Sequence, residues 1–242
     1  MKFGLLYGCN YKETPYELNG CINDAKRSHE WLKTVNKYDN LQLWTDDTME
    51  KPTRNNIISS LRELVSIVKT NDFIFIHFSG HGTQIRDISG DERDGKDEVF
   101  VSLDLKGIVD DEIATILKAI PTGVNVFILM DCCHSGTIVD LPYSIYQGRG
   151  YNIANNKNNF DANIYMLSGC RDDQVSYDAF ILDRFQGAMT NAFYTAIRNR
   201  KSIHVRYLLG YVQYILYKQG YPQRPQLSSS VPIRWNSIIK FS

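Results

Sequence analysis

Residues 124–136 read Val-Asn-Val-Phe-Ile-Leu-Met-Asp-Cys-Cys-His-Ser-Gly, an apolar strand running straight into Asp131-Cys132-Cys133-His134-Ser135-Gly136. Upstream, a second apolar run, Phe73–Phe78, leads into Ser79-Gly80-His81-Gly82. A Cys and a His therefore each stand at the end of a buried strand, among small residues. In a parallel sheet both emerge at the carboxyl edge, where α/β proteins place their sites. A thiol needs a base or a cationic neighbour to be a nucleophile near neutral pH, and an imidazole supplies either. The flanking glycines leave room for a substrate backbone.

Outward from these two strands the chain alternates. Lys2–Tyr7 and Leu41–Trp44 read as strands, with helical spacing over Asn23–Val35 between them. Thr53 is placed to cap a helix carrying Ile57, Ile58, Leu61, Leu64, Val65 and Val68. Asp110-Asp111-Glu112 opens a helix through Ala119, its acids favourable at the N-terminus. Further strands are predicted at Val99–Leu103 and Ile164–Leu167, and helices at Ala188–Ile197 and Val205–Lys218. Residues 85–96 read as an acidic loop and 142–162 as an exposed loop. The alternation predicts an α/β fold, a mostly parallel central sheet flanked by helices on both faces.

With 242 residues and 43% hydrophobic content, the chain can bury a full core. Its 27 basic and 27 acidic residues cancel, which argues against nucleic acid or an anionic membrane as the main partner. No apolar run reaches bilayer-spanning length, and the start turns polar too soon for a signal peptide. The five cysteines show no disulfide-framework spacing, so a reducing, cytoplasmic setting is expected.

Of the adjacent cysteines, one is expected to face the cleft, since successive extended side chains point oppositely. His77 lies within the apolar run and reads as a satisfied core histidine, leaving His81 as the better base. A zinc site is disfavoured, because contiguous Cys-Cys-His cannot easily wrap a tetrahedral ion. The acidic segment Asp87, Asp91, Glu92, Asp94, Asp97 and Glu98, followed by Asp110 and Asp111, fits either a solvated loop or a hard-cation site. It departs from the EF-hand template, since placing Gly95 at the turn puts Val101 where the bidentate Glu belongs. Asp24, in Gly20-Cys21-Ile22-Asn23-Asp24-Ala25, reads either as a helix cap or as a carboxylate in a specificity pocket.

Together these segments resemble the metacaspases, caspase-like cysteine peptidases. The matching stretches are Gly20–Ala25, Leu43–Asp47, His77–Gln84, Gly90–Glu98, Ile108–Ile113 and Asp131–Tyr143, with Leu167–Cys170, Gly187–Thr190 and Pro225–Ser228 downstream. The stretch Asp131–Tyr143 is the most specific, and the likeness spans almost the whole chain. The resemblance implies one caspase-like domain over 1–242, with a large part (1–141), a linker (142–162) and a small part (163–242), as in the short-linker type without a Pro/Gln/Gly-rich prodomain.

It further implies Cys133 as nucleophile and His81 as general base and acid, with the backbone N–H groups of Gly82 and Cys133 as oxyanion donors. The implied substrates are protein or peptide chains with Arg or Lys at P1. That side chain would enter a pocket formed by Asp24 and Asp131, walled by Cys21 and Ser79. Calcium is the implied activator, held by Asp97, Asp110, Asp111 and Asp140. Arg149 is a candidate self-cleavage point beside the reading of an ordinary surface Arg. A monomer is expected. The rival class is a non-proteolytic interaction module on the same fold.

Overall fold

The computed structural model describes residues 1–86, 96–132, 139, 141–145, 152–153 (backbone only), 159–169, 187–198 and 200–242. Strand β1 (Lys2–Gly8) leads through a loop to helix α1 (Cys21–Trp31), which runs on as one π-helical turn over Leu32–Asn36. Strand β2 (Asn40–Thr45) and helix α2 (Arg54–Ile67) follow, the latter capped by the Thr53 side chain accepting from the Asn56 N–H. Next come β3 (Phe73–Ser79), β4 (Gly82–Arg86), β5 (Lys96–Val101), β6 (Gly107–Val109), α3 (Asp110–Leu117) and β7 (Asn125–Asp131). The chain closes with β8 (Tyr143–Ile145), β9 (Asn152–Ile153), β10 (Asn163–Ser168), α4 (Ala188–Ile197), β11 (Ser202–His204), α5 (Val205–Lys218), β12 (Gln226–Ser229) and β13 (Ile238–Lys240).

Among the described residues the main sheet has eight strands in the order β2-β1-β3-β7-β10-β12-β8-β9. Its first five are mutually parallel, and β12, β8 and β9 join antiparallel to their neighbours. Continuous apolar runs such as Phe73–Phe78 are required because both faces are covered. Alternate residues divide between them. Leu5, Tyr7, Ile74, Ile76, Val126, Ile128 and Met130 pack with Ile57, Leu61 and Leu117 of α2 and α3. Leu6, Phe75, Phe127 and Leu129 pack with Trp31 of α1, Phe193 of α4 and Leu208 and Val212 of α5. By that alternation His77, Ser79 and Asp131 belong to the face of α1 and α4.

The expectation of a mostly parallel sheet between two helical layers holds. Two readings are corrected. The supposed loop at 142–162 contains β8, whose Ile145 is buried and whose residues pair with β12. Its Tyr- and Asn-rich composition hid a strand of only three residues. Within the supposed acidic loop, Ile85, Arg86 and Lys96 belong to the β4–β5 pair, which with β6 forms a separate three-stranded sheet.

Glycine at position 8 draws α1 onto the sheet. A Cβ there would lie 2.5 Å from the Cys21 carbonyl oxygen and 2.9 Å from Cβ of Ala25. The first turn of α1 thus rests directly on the end of β1, and the side chains of Cys21 and Asp24 reach the carboxyl edge of the sheet. The N-terminus of α1 is held from outside, by Asn10 Oδ1 accepting from the Ile22 N–H at 3.1 Å.

Candidate active site

Strands β3 and β7 are neighbours, with Ser79 opposite Asp131. His81 and Cys133 are each the second residue beyond that pair, so the two chains leave the sheet side by side at one level. Cys133 itself, together with Asp140, Arg149 and the acidic residues 87–94, lies outside the described residues. Cys132 is buried in the core on the α2 and α3 side, with Met130 and Val139.

His81 is held on three sides. Its Nε2 lies 2.8 Å from the main-chain carbonyl oxygen of Tyr16. A carbonyl only accepts, so Nε2 carries the proton and Nδ1 keeps its lone pair. The His81 N–H donates to the Tyr11 hydroxyl at 2.9 Å, and that hydroxyl donates to the Val101 carbonyl at 2.6 Å. The His81 carbonyl in turn accepts from the Val101 N–H at 2.9 Å. The fully buried Tyr11 ring lies against the imidazole, with centroids 4.8 Å apart. Tyr11 and Tyr16 are not visible as site residues in the sequence. Tyr16 contributes only a carbonyl, which every residue has. Tyr11 could have been suspected only from its place among the turn residues following β1.

On the α1 face of the same edge the structure gathers Cys21, Asp24, Ser79 and Asp131. Ser79 Oγ donates to Asp24 Oδ2 at 3.0 Å. Asp24 is therefore no N-cap. That position is Gly20, and the carboxylate of Asp24 turns to the site instead. Asp131 Oδ2 accepts from the backbone N–H of Thr190 at 2.9 Å and from its hydroxyl at 2.7 Å. Burial, reinforced by the charge of Asp131, raises Asp24 to about 8. Burial also raises Asp131, against the opposing hydrogen bonds from Thr190. Burial pushes the Cys21 thiol well up, so that wall is neutral. Two acids thus share a desolvated site, and each is disfavoured as an anion.

Glycines line the other side. A Cβ on Gly169 would stand 3.6 Å from Asp131 Oδ1, and one on Gly187 would stand 3.4 Å from Asp24 Oδ1. These residues belong to the small part and were not singled out as site residues from sequence.

The expected calcium positions fall on the three-stranded sheet. Val99 pairs with Val109, which sets Asp97-Glu98 against Asp110-Asp111. Asp97, Glu98 and Asp110 are buried. Asp110 accepts from the Glu98 N–H at 3.1 Å and the Asp111 N–H at 2.8 Å. This all-oxygen donor set suits a hard cation. Among the described residues, no group of three or more His, Cys, Asp or Glu side chains is arranged to hold a metal.

His77 is fully buried and hydrogen-bonded, as a core histidine should be. Its Nδ1 lies 2.6 Å from Ser28 Oγ and its Nε2 3.4 Å from Thr190 Oγ1. Burial holds it down at about 3, so the ring is neutral.

The family model described as "Metacaspase, peptidase C14 domain" matches residues 2–142. The chain belongs to the metacaspases. Metacaspase-1A of Neurospora crassa is 35% identical over 95% of this chain, which spans 63% of that relative's length. Metacaspase-1 of Botryotinia fuckeliana is 34% identical over 97% of the chain and is covered to 69% of its length. Two solved structures share the fold. Protein GSU0716 of Geobacter sulfurreducens matches with a TM-score of 0.68 at 24% identity, over 95% of this chain and 93% of its own. Caspase-1 of Spodoptera frugiperda matches with a TM-score of 0.61 at 10% identity, over 96% of this chain and 87% of its own. Membership places the chain in a family of cysteine-type peptidases with a caspase-like α/β fold. No helix among the described residues is long and apolar enough to cross a membrane.

Proposed function

We propose that this metacaspase is a calcium-stimulated cysteine endopeptidase that cleaves peptide bonds after Arg or Lys. The observation that carries the reading is the fixed imidazole of His81, its Nε2–H bonded to the Tyr16 carbonyl, two residues beyond the Ser79–Asp131 pair and next to the acidic pocket. His81 Nδ1 takes the Cys133 thiol proton, and the thiolate attacks the scissile carbonyl. The backbone N–H groups of Gly82 and Cys133 receive the developing oxyanion. His81 then gives its proton to the leaving amine, and water, activated by the same nitrogen, hydrolyses the thioester.

Asp24 and Asp131 select the P1 residue. A guanidinium or ammonium restores the charge balance that burial disfavours for the two acids alone. Calcium, held by Asp97, Asp110, Asp111 and Asp140, would neutralise carboxylates at one end of β5. At its other end that strand is bonded to His81 through Val101. The enzyme acts as a monomer. Strands β8 and β9 extend the sheet beyond β12, and the two-residue β9 offers little edge for pairing.

The test is hydrolysis of matched fluorogenic peptides ending in Arg, Lys or Asp, with calcium varied from chelator to millimolar, beside Cys133→Ala. Calcium-dependent release after Arg and Lys, absent in the variant, is expected. Undiminished release by Cys133→Ala would overturn the mechanism, and no release under any condition would favour a non-proteolytic module.

A further inference from the structure

Beneath the P1 pocket lies a buried chain of hydroxyl groups and one imidazole that none of the catalytic steps uses. Tyr194 and Ser28 oxygens are 2.6 Å apart, Ser28 Oγ and His77 Nδ1 2.6 Å, His77 Nε2 and Thr190 Oγ1 3.4 Å, and Thr190 Oγ1 and Asp131 Oδ2 2.7 Å. His77, Ser28 and Thr190 are completely buried, and Tyr194 nearly so. Each link crosses between elements, from α4 to α1, to β3, back to α4, and on to β7.

When Asp131 is ionised, one set of donor roles links every member of the chain, with the Asp24 carbonyl, 3.2 Å from Ser28 Oγ, as a longer competing acceptor for the Ser28 proton. Asp131 is an acceptor when ionised, so Thr190 spends its single hydroxyl proton on Oδ2. The Thr190 oxygen can then only accept, which requires the hydrogen of His77 on Nε2. Nδ1 is thereby the acceptor, and Ser28 donates to it. Ser28 in turn accepts from Tyr194. All four donors point one way, toward Asp131, and a chain with a common direction polarises each of its links. A neutral His77 is essential, because a cationic ring would have no acceptor nitrogen for Ser28.

We propose that Thr190 and His77 are positioning residues for P1 recognition: a one-way hydrogen-bond relay from Tyr194 through Ser28, His77 and Thr190 clamps Oδ2 of Asp131 and leaves Oδ1 to receive the substrate's cationic side chain. The placement of Gly169 supports this, since its lack of a side chain keeps the space beside Oδ1 open. The backbone N–H of Thr190 also donates to Oδ2, so that oxygen is committed twice before substrate arrives, and the backbone N–H of Gly187 bonds the same carboxyl group. The inference rests on the reading of Asp24 and Asp131 as the P1 pocket.

The relay is tested by comparing Thr190→Val, which keeps the shape and the backbone donor, with Thr190→Ser, which keeps the hydroxyl. KM for an Arg-P1 peptide and Kd for N-acetyl-arginine amide, the latter measured on Cys133→Ala protein by calorimetry, are the readouts. Thr190→Val is expected to raise both about tenfold with kcat changed less than about threefold, and Thr190→Ser to stay within about twofold of the wild type. Ser28→Ala, which cuts the chain two links away, should raise KM by a smaller factor in the wild-type background and add little in Thr190→Val. A general packing defect would instead lower the melting temperature while leaving KM and Kd in place. If wild-type enzyme cleaves after Arg and Thr190→Val does so with unchanged KM, the relay is overturned and the P1 reading stands. If the wild type neither cleaves after Arg nor binds the amide, the P1 reading falls and the relay with it.

Discussion

The carbonyl oxygen of Tyr16 receives the Nε2–H of His81 at 2.8 Å, so the imidazole is oriented by the main chain and, among the described residues, by no carboxylate. The tyrosine ring at that position is exposed and meets the imidazole only edge-on, with centroids 6.4 Å apart.

Tyr16→Ala is therefore expected to change kcat by less than about threefold, since the carbonyl remains. Tyr11→Phe is expected to lower kcat about tenfold. It strands the His81 N–H and the Val101 carbonyl, at a cost of about 1–3 kcal/mol for each group left unpaired. Steady-state kinetics on an Arg-P1 peptide, with thermal melting alongside, checks both. A large kcat loss in Tyr16→Ala with none in Tyr11→Phe would reverse the assignment.

Asp24 gives a pH prediction. Its folded-state pKa, about 8, lies above the ordinary value of 3.8. As pH rises from about 4 to about 8, the unfolded chain gives up this proton before the folded one does. The group's contribution to stability is thus full below pH 4 and is lost as pH rises through the folded value. Asp24→Asn should raise the melting temperature at pH 8 and leave it nearly unchanged at pH 3. The same variant should lose cleavage after Arg by about a hundredfold or more, because the pocket keeps only one carboxylate. Wild-type kcat/KM should climb toward pH 8 as Asp24 ionises. A melting temperature unaffected by Asp24→Asn at both pH values would contradict the burial argument.

The sheet was legible because a buried parallel strand has an unmistakable pattern. Phe73–Phe78 and Val124–Met130 are too apolar to be anything exposed, and each ends where polar and small residues begin. Helix α2 was equally plain from Thr53 and the isoleucine and leucine spacing. What escaped were pieces whose stability comes from neighbours. β8 is a strand because β12 presents an edge to it, and β6 because β5 does. Within the candidate site, Asp24 and His81 stood out by residue type and place, and Ser79 only through the family resemblance. The Tyr16 carbonyl and the Thr190 hydroxyl did not, since backbone groups and core threonines leave no compositional mark.

Gly8→Ala tests how tightly α1 must seat. The added methyl would meet the backbone of Cys21 at 2.5 Å, and backbone cannot swing aside as a flexible side chain can. Overpacking of this kind costs about 1–3 kcal/mol. Because the displaced turn carries Cys21 and Asp24, KM for Arg-P1 peptides should rise more than kcat falls. Gly4→Ala makes the comparison on the same face of β1, where the methyl would meet only side chains, Leu41 at 2.5 Å and Leu32 at 3.2 Å, rather than helix backbone. Equal effects of the two variants on KM would show that seating of α1 is not what sets the pocket.

Calcium should act on the fold as well as on the rate. Asp97, Glu98 and Asp110 are buried at the start of β5 and of α3, where the proposed cation would join carboxylate oxygens. A cation that binds the folded state alone stabilises it by about 2.7 kcal/mol at a hundredfold excess over Kd. Cys133→Ala protein, which lacks the proposed nucleophile, should therefore melt several degrees higher in millimolar calcium than in chelator. Asp111 is only partly buried, so Asp111→Asn should leave the melting temperature in chelator within about 2 °C while erasing most of the calcium shift. Magnesium, which holds its waters and demands octahedral geometry, should substitute poorly. A full calcium shift in Asp111→Asn would remove that residue from the ligand set. An identical shift with magnesium would reduce the effect to screening of an acidic surface.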